Sequence, residues 1–376
     1  MTPRGTARLC AFVGALLLAL HASPVIAAAP DAPLGVATPG PFRGLFLDLP
    51  LADAGAPPAL AIDVRWWLAN DWSKPTVVSR DGRTVRLQGD AQYDTLQVAV
   101  TVPWRRFLRA PFARRLSTTV EAHASVIWGG WTDGLIEDWH RLIGSSNFQR
   151  QIFPRDRVNL RLSEDGGPTL ADVHSAGVVL GDLVVRNQLV LVGVEPGPSG
   201  APPRASLAVR LDLKIPTGPL HRLGGSGGAD AGLGLAGTVR AGPLTVHALA
   251  SARVVSGLPQ GFALQPRRLQ AGGDLSLVLR VGRRVALLLE DRLSTPLMRS
   301  GWRLPANETQ PEATTWYALF RAHNQVSGGV RIGEVTVFLS EDFTPGGRIA
   351  SDPGPRWFYD SNAPDIVIGV SWARDL

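Results

Sequence analysis

Glu137 and His140 have the residue types and the spacing of a metal-ligand pair. They stand three apart in the run 129–144, where apolar and polar residues recur with helical period, so a helix would place both on one face. Glu-x-x-His pairs hold metals in helical bundles only together with a second such motif and further carboxylates. The chain offers no second motif. Glu137 could also form an ordinary helical ion pair with Arg141, four residues on. We therefore predict no metal ion and no other cofactor.

Two histidines have neighbours that could serve a lipid hydrolase. His123 lies between Glu121 and Ser125 at period two, which would place all three on one face of a strand. His174 is next to Ser175, and adjacent residues of a strand point to opposite faces. No Asp or Asn stands at a spacing that completes a catalytic set. The sequence therefore predicts no catalytic residue, and a barrel enzyme acting on lipid or envelope substrates, with a histidine as base, stays an alternative.

The runs 214–218 (KIPTG) and 225–230 (GSGGAD) resemble a phosphate-binding loop at first sight. A P-loop needs the order G-x-x-x-x-G-K-[ST] and a helix directly after it, and both are missing here. We predict a strand end, a flexible loop and a strand start.

A larger set of polar residues recurs at alternate positions between apolar ones. In 206–215, for example, Arg210, Asp212 and Lys214 alternate with Leu211, Leu213 and other apolar residues. Period two puts the two sets on opposite faces of a strand, and charges of both signs suit the wet interior of a barrel. The predicted lumen-lining residues are Asp63, Arg65, Glu121, His123, Asp182, Arg186, Arg210, Asp212, Lys214, Asp274, Arg280, Glu290 and Arg292.

The same alternation predicts about twelve strands, an even number of the kind that bacterial outer-membrane barrels use. The predicted spans are 59–72, 91–104, 114–128, 178–192, 204–215, 230–240, 243–255, 269–282, 283–294, 324–332, 334–343 and 364–373. Short and long connections alternate, and tryptophans cluster at strand ends, as in membrane barrels. The predicted fold class is all-β, a transmembrane antiparallel up-and-down barrel. A soluble exported β-protein is the alternative.

One amphipathic helix interrupts this pattern at 132–143, inside a long insertion at 129–177 that strand counting places on the extracellular side. Its apolar face needs a partner, and folding onto the barrel rim or into the lumen would supply one. The predicted lid or constriction residues are Leu135, Ile136, Glu137, Trp139 and His140.

The first residues have the form of a cleaved secretory signal peptide at 1–29: Arg4 and Arg8, a short apolar run, then small residues. Residues 30–58, rich in Pro, Ala and Gly, are predicted to form an irregular periplasmic lead-in that could fold back into the barrel mouth, followed by the barrel at 59–376. Cys10 is the chain's one cysteine and would leave with the signal, so the mature chain would have no thiol chemistry.

The charge balance gives nucleic-acid binding no support. The chain has 38 basic and 32 acidic residues, and the excess is dispersed rather than gathered in a patch interleaved with aromatic residues. The expected partners are outer-membrane lipid and lipopolysaccharide, together with the outer-membrane assembly machinery, whose signal Gly369 and Trp372 resemble in part. The oligomeric state is left open.

Several short motifs, in this order, resemble a proteobacterial outer-membrane family known as domain of unknown function 3187. The motifs are Gly129-Gly130, Asp133-Gly134-Leu135-Ile136 with His140, Ser175-Ala176-Gly177, Gly181-Asp182-Leu183, 214–218, Gly225-Ser226-Gly227 with Asp230, and Glu341-Asp342. The resemblance implies an outer-membrane barrel of a Gram-negative bacterium and leaves the activity open. From the two-faced strands and the charged interior we expect a passive channel or transport barrel for small solutes or apolar compounds.

Overall fold

The computed structural model describes residues 31–37, 40, 42–57, 59–143, 154–193, 202–302, 319–320, 322–342 and 366–376. The predicted signal peptide at 1–29 lies outside the described residues, as does part of the insertion at 129–177. No helix in the described part is long and apolar enough to cross a membrane.

The described residues form strands, one α-helix and four short 3-10 turns. The strands are β1 Ala61–Arg80, β2 Arg83–Pro103, β3 Leu116–Trp128, β4 Leu160–Glu164, β5 Thr169–Val173, β6 Gly177–Leu180, β7 Leu183–Val192, β8 Ala205–Ile215, β9 Asp230–Ala241, β10 Leu244–Val254, β11 Leu269–Arg280, β12 Val285–Ser294, β13 His323–Ile332, β14 Val335–Asp342 and β15 Ile366–Asp375. The helix α1 is Asp133–Ile143, and the 3-10 turns are Arg43–Leu45, Trp104–Arg106, Pro111–Arg114 and Leu220–Arg222.

Twelve of these strands close into an antiparallel barrel. Each strand from β7 to β14 pairs with the next along the chain, β1 to β3 form a meander, and β3 pairs with β7. The barrel closes where β1 pairs with β15 in the register Ala61↔Asp375 to Asn70↔Ile366. The prediction of a twelve-stranded up-and-down barrel is confirmed. Both chain ends of the barrel lie at one end, here called the terminal end.

Burial along the strands is the inverse of a soluble protein, because apolar residues face outward and charged residues face inward. On β8, Leu211 is 41% exposed, whereas Arg210 and Asp212 are 2% and 0% exposed. Charged side chains are almost never fully buried in proteins unless they are paired, and an extended exposed leucine band costs free energy in water. This arrangement stabilises the barrel in lipid with a polar interior.

The strands β1 and β2 are 20 and 21 residues long, well beyond the roughly 10 residues that a tilted membrane strand needs. Their outer parts continue as a hairpin, on which β4 pairs with β2 and β5 pairs with β4. The prediction that these strands end at 72 and begin at 91 was therefore too short. It followed the alternation of the apolar face, which stops where the lipid band stops, while backbone pairing continues.

This outer hairpin, with β4, β5 and the loops 255–268 and 295–302, forms a cap that we call the canopy. Its apolar side chains belong to one buried cluster, which includes Val85, Leu87, Leu160, Leu162, Phe262, Leu264, Leu297, Met298 and Trp302. The canopy stands at the barrel end opposite the terminal end, here called the canopy end. The same cluster also includes Leu45 and Phe46 of the preceding segment and Ile127 of the wall, so the canopy packs onto the barrel mouth and is not a set of independent surface loops.

The lead-in was predicted at 30–58, and its described residues, 31–37, 40 and 42–57, lie inside the barrel. These residues are irregular apart from one 3-10 turn. The segment begins at the terminal end, where the carbonyl oxygen of Asp31 lies 2.6 Å from His247 Nε2. It reaches the canopy end, where Leu45 O accepts from Ser226 N at 3.1 Å, and returns until Gly55 O accepts from Gln188 Nε2 at 3.0 Å. We call this hairpin-like segment the plug.

We predict that acid loosens the canopy before the barrel. Arg83 donates two hydrogen bonds to Glu164 and lowers the pKa of that carboxyl. A carboxyl whose pKa is depressed in the folded state contributes stability above its unfolded pKa of about 4.3, and the contribution is lost as the pH falls through the lower folded value. Hydrogen-exchange protection of 160–173, corrected for the intrinsic pH dependence, should fall below about pH 4 while protection of β8 to β12 persists.

Glu164→Gln should reproduce part of this loosening at neutral pH, because it removes the charge and sets an amide N–H against the Arg83 donors. Exchange in 160–173 should rise about five- to tenfold, as for the loss of one or two charge-assisted hydrogen bonds. Asp165→Asn is the matched control, since the Asp165–Arg86 pair is exposed on both sides and such pairs contribute little. Equal effects of the two variants would contradict this role for Glu164.

Candidate functional site in the barrel lumen

Four arginines from the barrel wall converge on the middle of the plug. They are Arg186 on β7, Arg210 on β8, Arg253 on β10 and Arg292 on β12, and we call them the arginine collar. All four donate to backbone carbonyl oxygens of residues 47–50. An irregular chain has no ladder partners for its carbonyl groups, and the five donors of a guanidinium can supply them from the side.

Asp48 is the acidic centre of the collar. Its carboxylate accepts from Arg292 Nη1 at 2.6 Å and from Arg253 Nη1 at 3.2 Å, and its carbonyl oxygen accepts from Arg186 Nη1 at 2.8 Å. Sequence reasoning missed Asp48 because it stands in a segment without periodicity. It missed Arg253 because β10 is rich in alanine and its alternation is weak.

Carboxylates on the barrel wall neutralise the charges of the arginine collar. Arg186 pairs with Glu121 at 3.1 Å and with Asp212 at 2.6 Å, and Arg292 pairs with Asp274 at 3.1 Å. Removing buried charges from water is costly unless each has a partner with good geometry, and the alternating signs meet that requirement. The collar is therefore a paired network with the plug as one of its members.

Carboxylates and hydroxyls of the wall hold backbone N–H groups of the plug in the same way. Glu290 accepts from Gly35 N at 3.0 Å and from Val36 N at 3.2 Å, while Leu47 N donates to Asp230 at 2.7 Å. Ala54 N donates to the hydroxyl of Thr238 at 3.0 Å. These contacts hold described residues of the plug on both its rising and its returning leg.

The structure places the predicted lumen-lining residues on inward-facing positions, but most of them bind the plug or one another rather than lining open space. Arg65 donates to the carbonyl oxygen of Leu34 at 3.0 Å and pairs with Asp63 at 2.7 Å. Arg280 lies at the terminal end, where it pairs with Asp31 at 3.2 Å. Arg65, through Leu34, and Arg280, through Asp31, both tie the entrance of the plug to the wall.

The two runs that resemble a phosphate loop form a fixed network around Asp182. Its carboxylate accepts from Thr217 N at 2.9 Å, from Gly218 N at 2.8 Å and from Lys214 Nζ at 2.5 Å. Lys214 also donates to Ser226 at 2.9 Å. The loop between β8 and β9, predicted to be flexible, is thus held by a buried anion of the protein itself, in the place that a phosphate occupies in a P-loop.

A cavity of about 110 Å³ lies between the plug tip and the wall. Its plug side includes Ala37, Gly44 and Phe46, and its wall side includes residues of β1, β2, β3, β6 and β7. Trp67, which the sequence grouped with the tryptophans at the membrane interface, lines it instead. A signal was present: Trp66 and Trp67 are adjacent, so one of them had to point inward.

The candidate hydrolase residues show no catalytic arrangement. Ser125 Oγ lies 2.8 Å from Thr95 Oγ1, and His123 packs so closely against Gly181 that a Cβ there would stand 1.8 Å from its Nε2. His174 lies on the canopy and contacts Asp172 at 2.7 Å. Among the described residues, no group of three or more His, Cys, Asp or Glu is placed to hold a metal ion.

Helix α1 begins on the outside of the wall. Asn70 Nδ2 donates to Thr132 Oγ1 at 2.9 Å and to Asp133 Oδ1 at 3.1 Å, and Thr132 donates to Gln92 at 3.0 Å. Asn70 and Gln92 are paired neighbours that alternate with the inward-facing residues of β1 and β2. The base of the helix therefore does not enter the lumen, which the plug occupies.

Of the predicted lid residues, Ile136 and Glu137 are buried and Leu135 is 43% exposed. Glu137 pairs with Arg155 of the same insertion. The side chains of Trp139 and His140 lie outside the described part of the chain. Helix α1 thus braces the insertion against the outer wall.

No protein-family model matches the chain, and no curated protein matches it. Solved structures that resemble it include an outer-membrane channel of Pseudomonas putida F1, with 12% identity, a TM-score of 0.43, and coverage of 85% of this chain and 96% of that one. A FadL homologue of Pseudomonas aeruginosa has 9% identity, a TM-score of 0.34 and coverage of 89% and 92%. The toluene transporter TbuX of Ralstonia pickettii has 8% identity, a TM-score of 0.36 and coverage of 85% and 90%. These likenesses are too distant to assign an activity.

We predict that Asp48→Ala releases the plug without opening the barrel wall. The change removes the acceptor of two collar arginines, and the loss of hydrogen bonds to a charged group should destabilise the plug by about 2–3 kcal/mol. Limited proteolysis in detergent should then cut within 31–57, while the barrel core stays resistant.

Asp138→Ala is the matched control, because Asp138 is a residue of helix α1 whose side chain is 69% exposed. It should leave the digestion pattern unchanged. A plug that stays resistant in Asp48→Ala would show that the collar does not hold it.

Proposed function

We propose that the protein is an outer-membrane barrel of a Gram-negative bacterium that passes small solutes or apolar compounds, and that residues 31–57 close it. The observation that carries this proposal is the plug, which crosses the lumen and returns, held by wall side chains. On this proposal the outward leucine band contacts lipid and lipopolysaccharide, and the outer-membrane assembly machinery inserts the barrel.

The chemistry of the plug contacts supports movement. Polar contacts hold the backbone of residues 47–50 at the collar, and each can be exchanged for a contact with water or solute. The same stretch also packs Leu47 and Leu49 against Leu249 of the wall, so movement of the plug has to offset the loss of that apolar burial. Passage would require the plug to shift within the lumen or to withdraw toward the terminal end, where it enters.

The orientation follows from the strand order. An even number of strands returns both barrel termini to one side, and in outer-membrane barrels that side is the periplasm. The canopy and the insertion at 129–177 would then face the outside of the cell. Solutes from outside would meet the canopy first and the plug beneath it.

Kinship with the family of domain of unknown function 3187 is part of this proposal. Three of the motifs that carry the resemblance, around Asp182, at 214–218 and at 225–230, meet in the Asp182 network. Gly225 approaches Asp182 so closely that a Cβ would stand 2.3 Å from its carboxylate. Such packing explains why these residue types would recur together.

We predict that fixing or removing the plug changes conductance in opposite directions. Ala54 and Thr238 are joined by a hydrogen bond, so the pair Ala54→Cys and Thr238→Cys is placed to form a disulfide between plug and wall. Oxidised protein in planar bilayers should lose its openings, and a reductant should restore them. Deletion of 31–57 should raise the open conductance severalfold.

The single variant Ala54→Cys controls for the substitution, and heat-modifiable migration on gels checks that each variant is folded. If the deletion variant does not fold, the disulfide pair still decides the question. The double-cysteine variant would contradict gating by the plug if its conductance equalled that of the wild type in both the oxidised and the reduced state.

A further inference from the structure

The cavity beside the plug tip has the size of a small-molecule site. Its volume of about 110 Å³ approaches that of cavities that hold a single aromatic ring, about 150 Å³. Phe46 and Leu47 from the plug, with Ile127 and Val179 from the wall, contribute an apolar lining. Gly44 lies on its plug side, and a Cβ added there would meet nothing within 4 Å.

The charged residues around the cavity are already paired. Arg186 is held by Glu121 and Asp212, and Lys214 is held by Asp182. An ion entering the cavity would find no free counter-charge and would lose its hydration, which is costly. The cavity therefore favours a neutral occupant.

Two residues that line the cavity carry neutral donors without partners in the described part of the chain. The indole Nε1 of Trp67 and the hydroxyl of Tyr93 are buried and have no hydrogen-bond partner among the described residues. Tyr93 is only 7% exposed. A buried donor without a partner costs free energy, and an acceptor on a bound molecule would recover it.

We propose that this cavity binds a neutral molecule with one ring or a short chain and a hydrogen-bond acceptor, such as a cyclic or aromatic ketone. The assignment deepens the proposed function, because such a compound would be the class that the barrel passes. Trp67 and Tyr93 would donate to its acceptor, and the lining from the plug would cover its apolar body. Because the plug forms one side of the cavity, a molecule bound there contacts the plug directly, and its binding depends on the position of the plug.

The test uses the full mature chain refolded in detergent micelles, with cyclohexanone as the probe and saturation-transfer NMR as the measure of binding. Saturable binding is expected, with benzoate of similar size failing to compete. Trp67→Phe and Tyr93→Phe should each weaken binding about fivefold, since each removes one hydrogen bond and keeps an aromatic ring. Gly44→Leu should abolish binding, because its side chain fills the cavity.

Trp66→Phe is the matched control, because Trp66 pairs with the exposed, outward-facing Leu96 and is the neighbour of Trp67. It should bind cyclohexanone like the wild type. Absence of saturable binding would mean that the cavity holds only water and would overturn the assignment. Binding that is unchanged in Trp67→Phe, Tyr93→Phe and Gly44→Leu would also overturn it. Neither result alters the conductance expected of the locked or deleted plug, so the two proposals fail separately.

Discussion

An irregular chain segment can be buried inside a barrel only if its backbone hydrogen bonds are satisfied, and that constraint governs this structure. A strand satisfies its N–H and C=O groups through its neighbours, but the plug has no such neighbours. The wall supplies partners of both kinds, with arginines for carbonyl oxygens and carboxylates or hydroxyls for N–H groups. The positive and negative side chains of the lumen thus match the hydrogen-bonding groups of the plug backbone. The arginine collar and the wall carboxylates together hold the plug.

The same constraint separates what the sequence could predict from what it could not. The barrel was predictable because a strand with lipid on one side and a polar interior on the other must alternate, as Arg210 and Leu211 do. The outer hairpin of β1 and β2 was not predictable, because both faces of a strand can be polar outside the lipid band, and alternation then no longer marks the strand. The sequence indicated a lead-in that could fold back into the barrel mouth, but it did not give the path of the plug: Gly35 and Glu290, which are joined there, lie 255 residues apart, and no local pattern records that contact.

The candidate site was predictable in its residues and not in its role. The alternation identified Arg186, Asp212 and Arg292 as inward-facing, but a strand pattern cannot tell an open lumen from one filled by another part of the chain. Helix α1 had the only clear helical pattern, which made it the natural candidate for a constriction. Its base is instead bound to the outward-facing Asn70 and Gln92, so the obstruction comes from the segment with the least pattern.

Hydrogen exchange of residues 31–57 in the protein reconstituted in lipid shows whether the plug lies in the lumen. Amides bonded to the wall, such as those of Val36, Leu47 and Ala54, should exchange at least about a hundredfold more slowly than in the isolated peptide. Protection should be greatest beside the collar. Exchange of the whole segment at the rate of the free peptide would place it outside the lumen and contradict a plugged barrel.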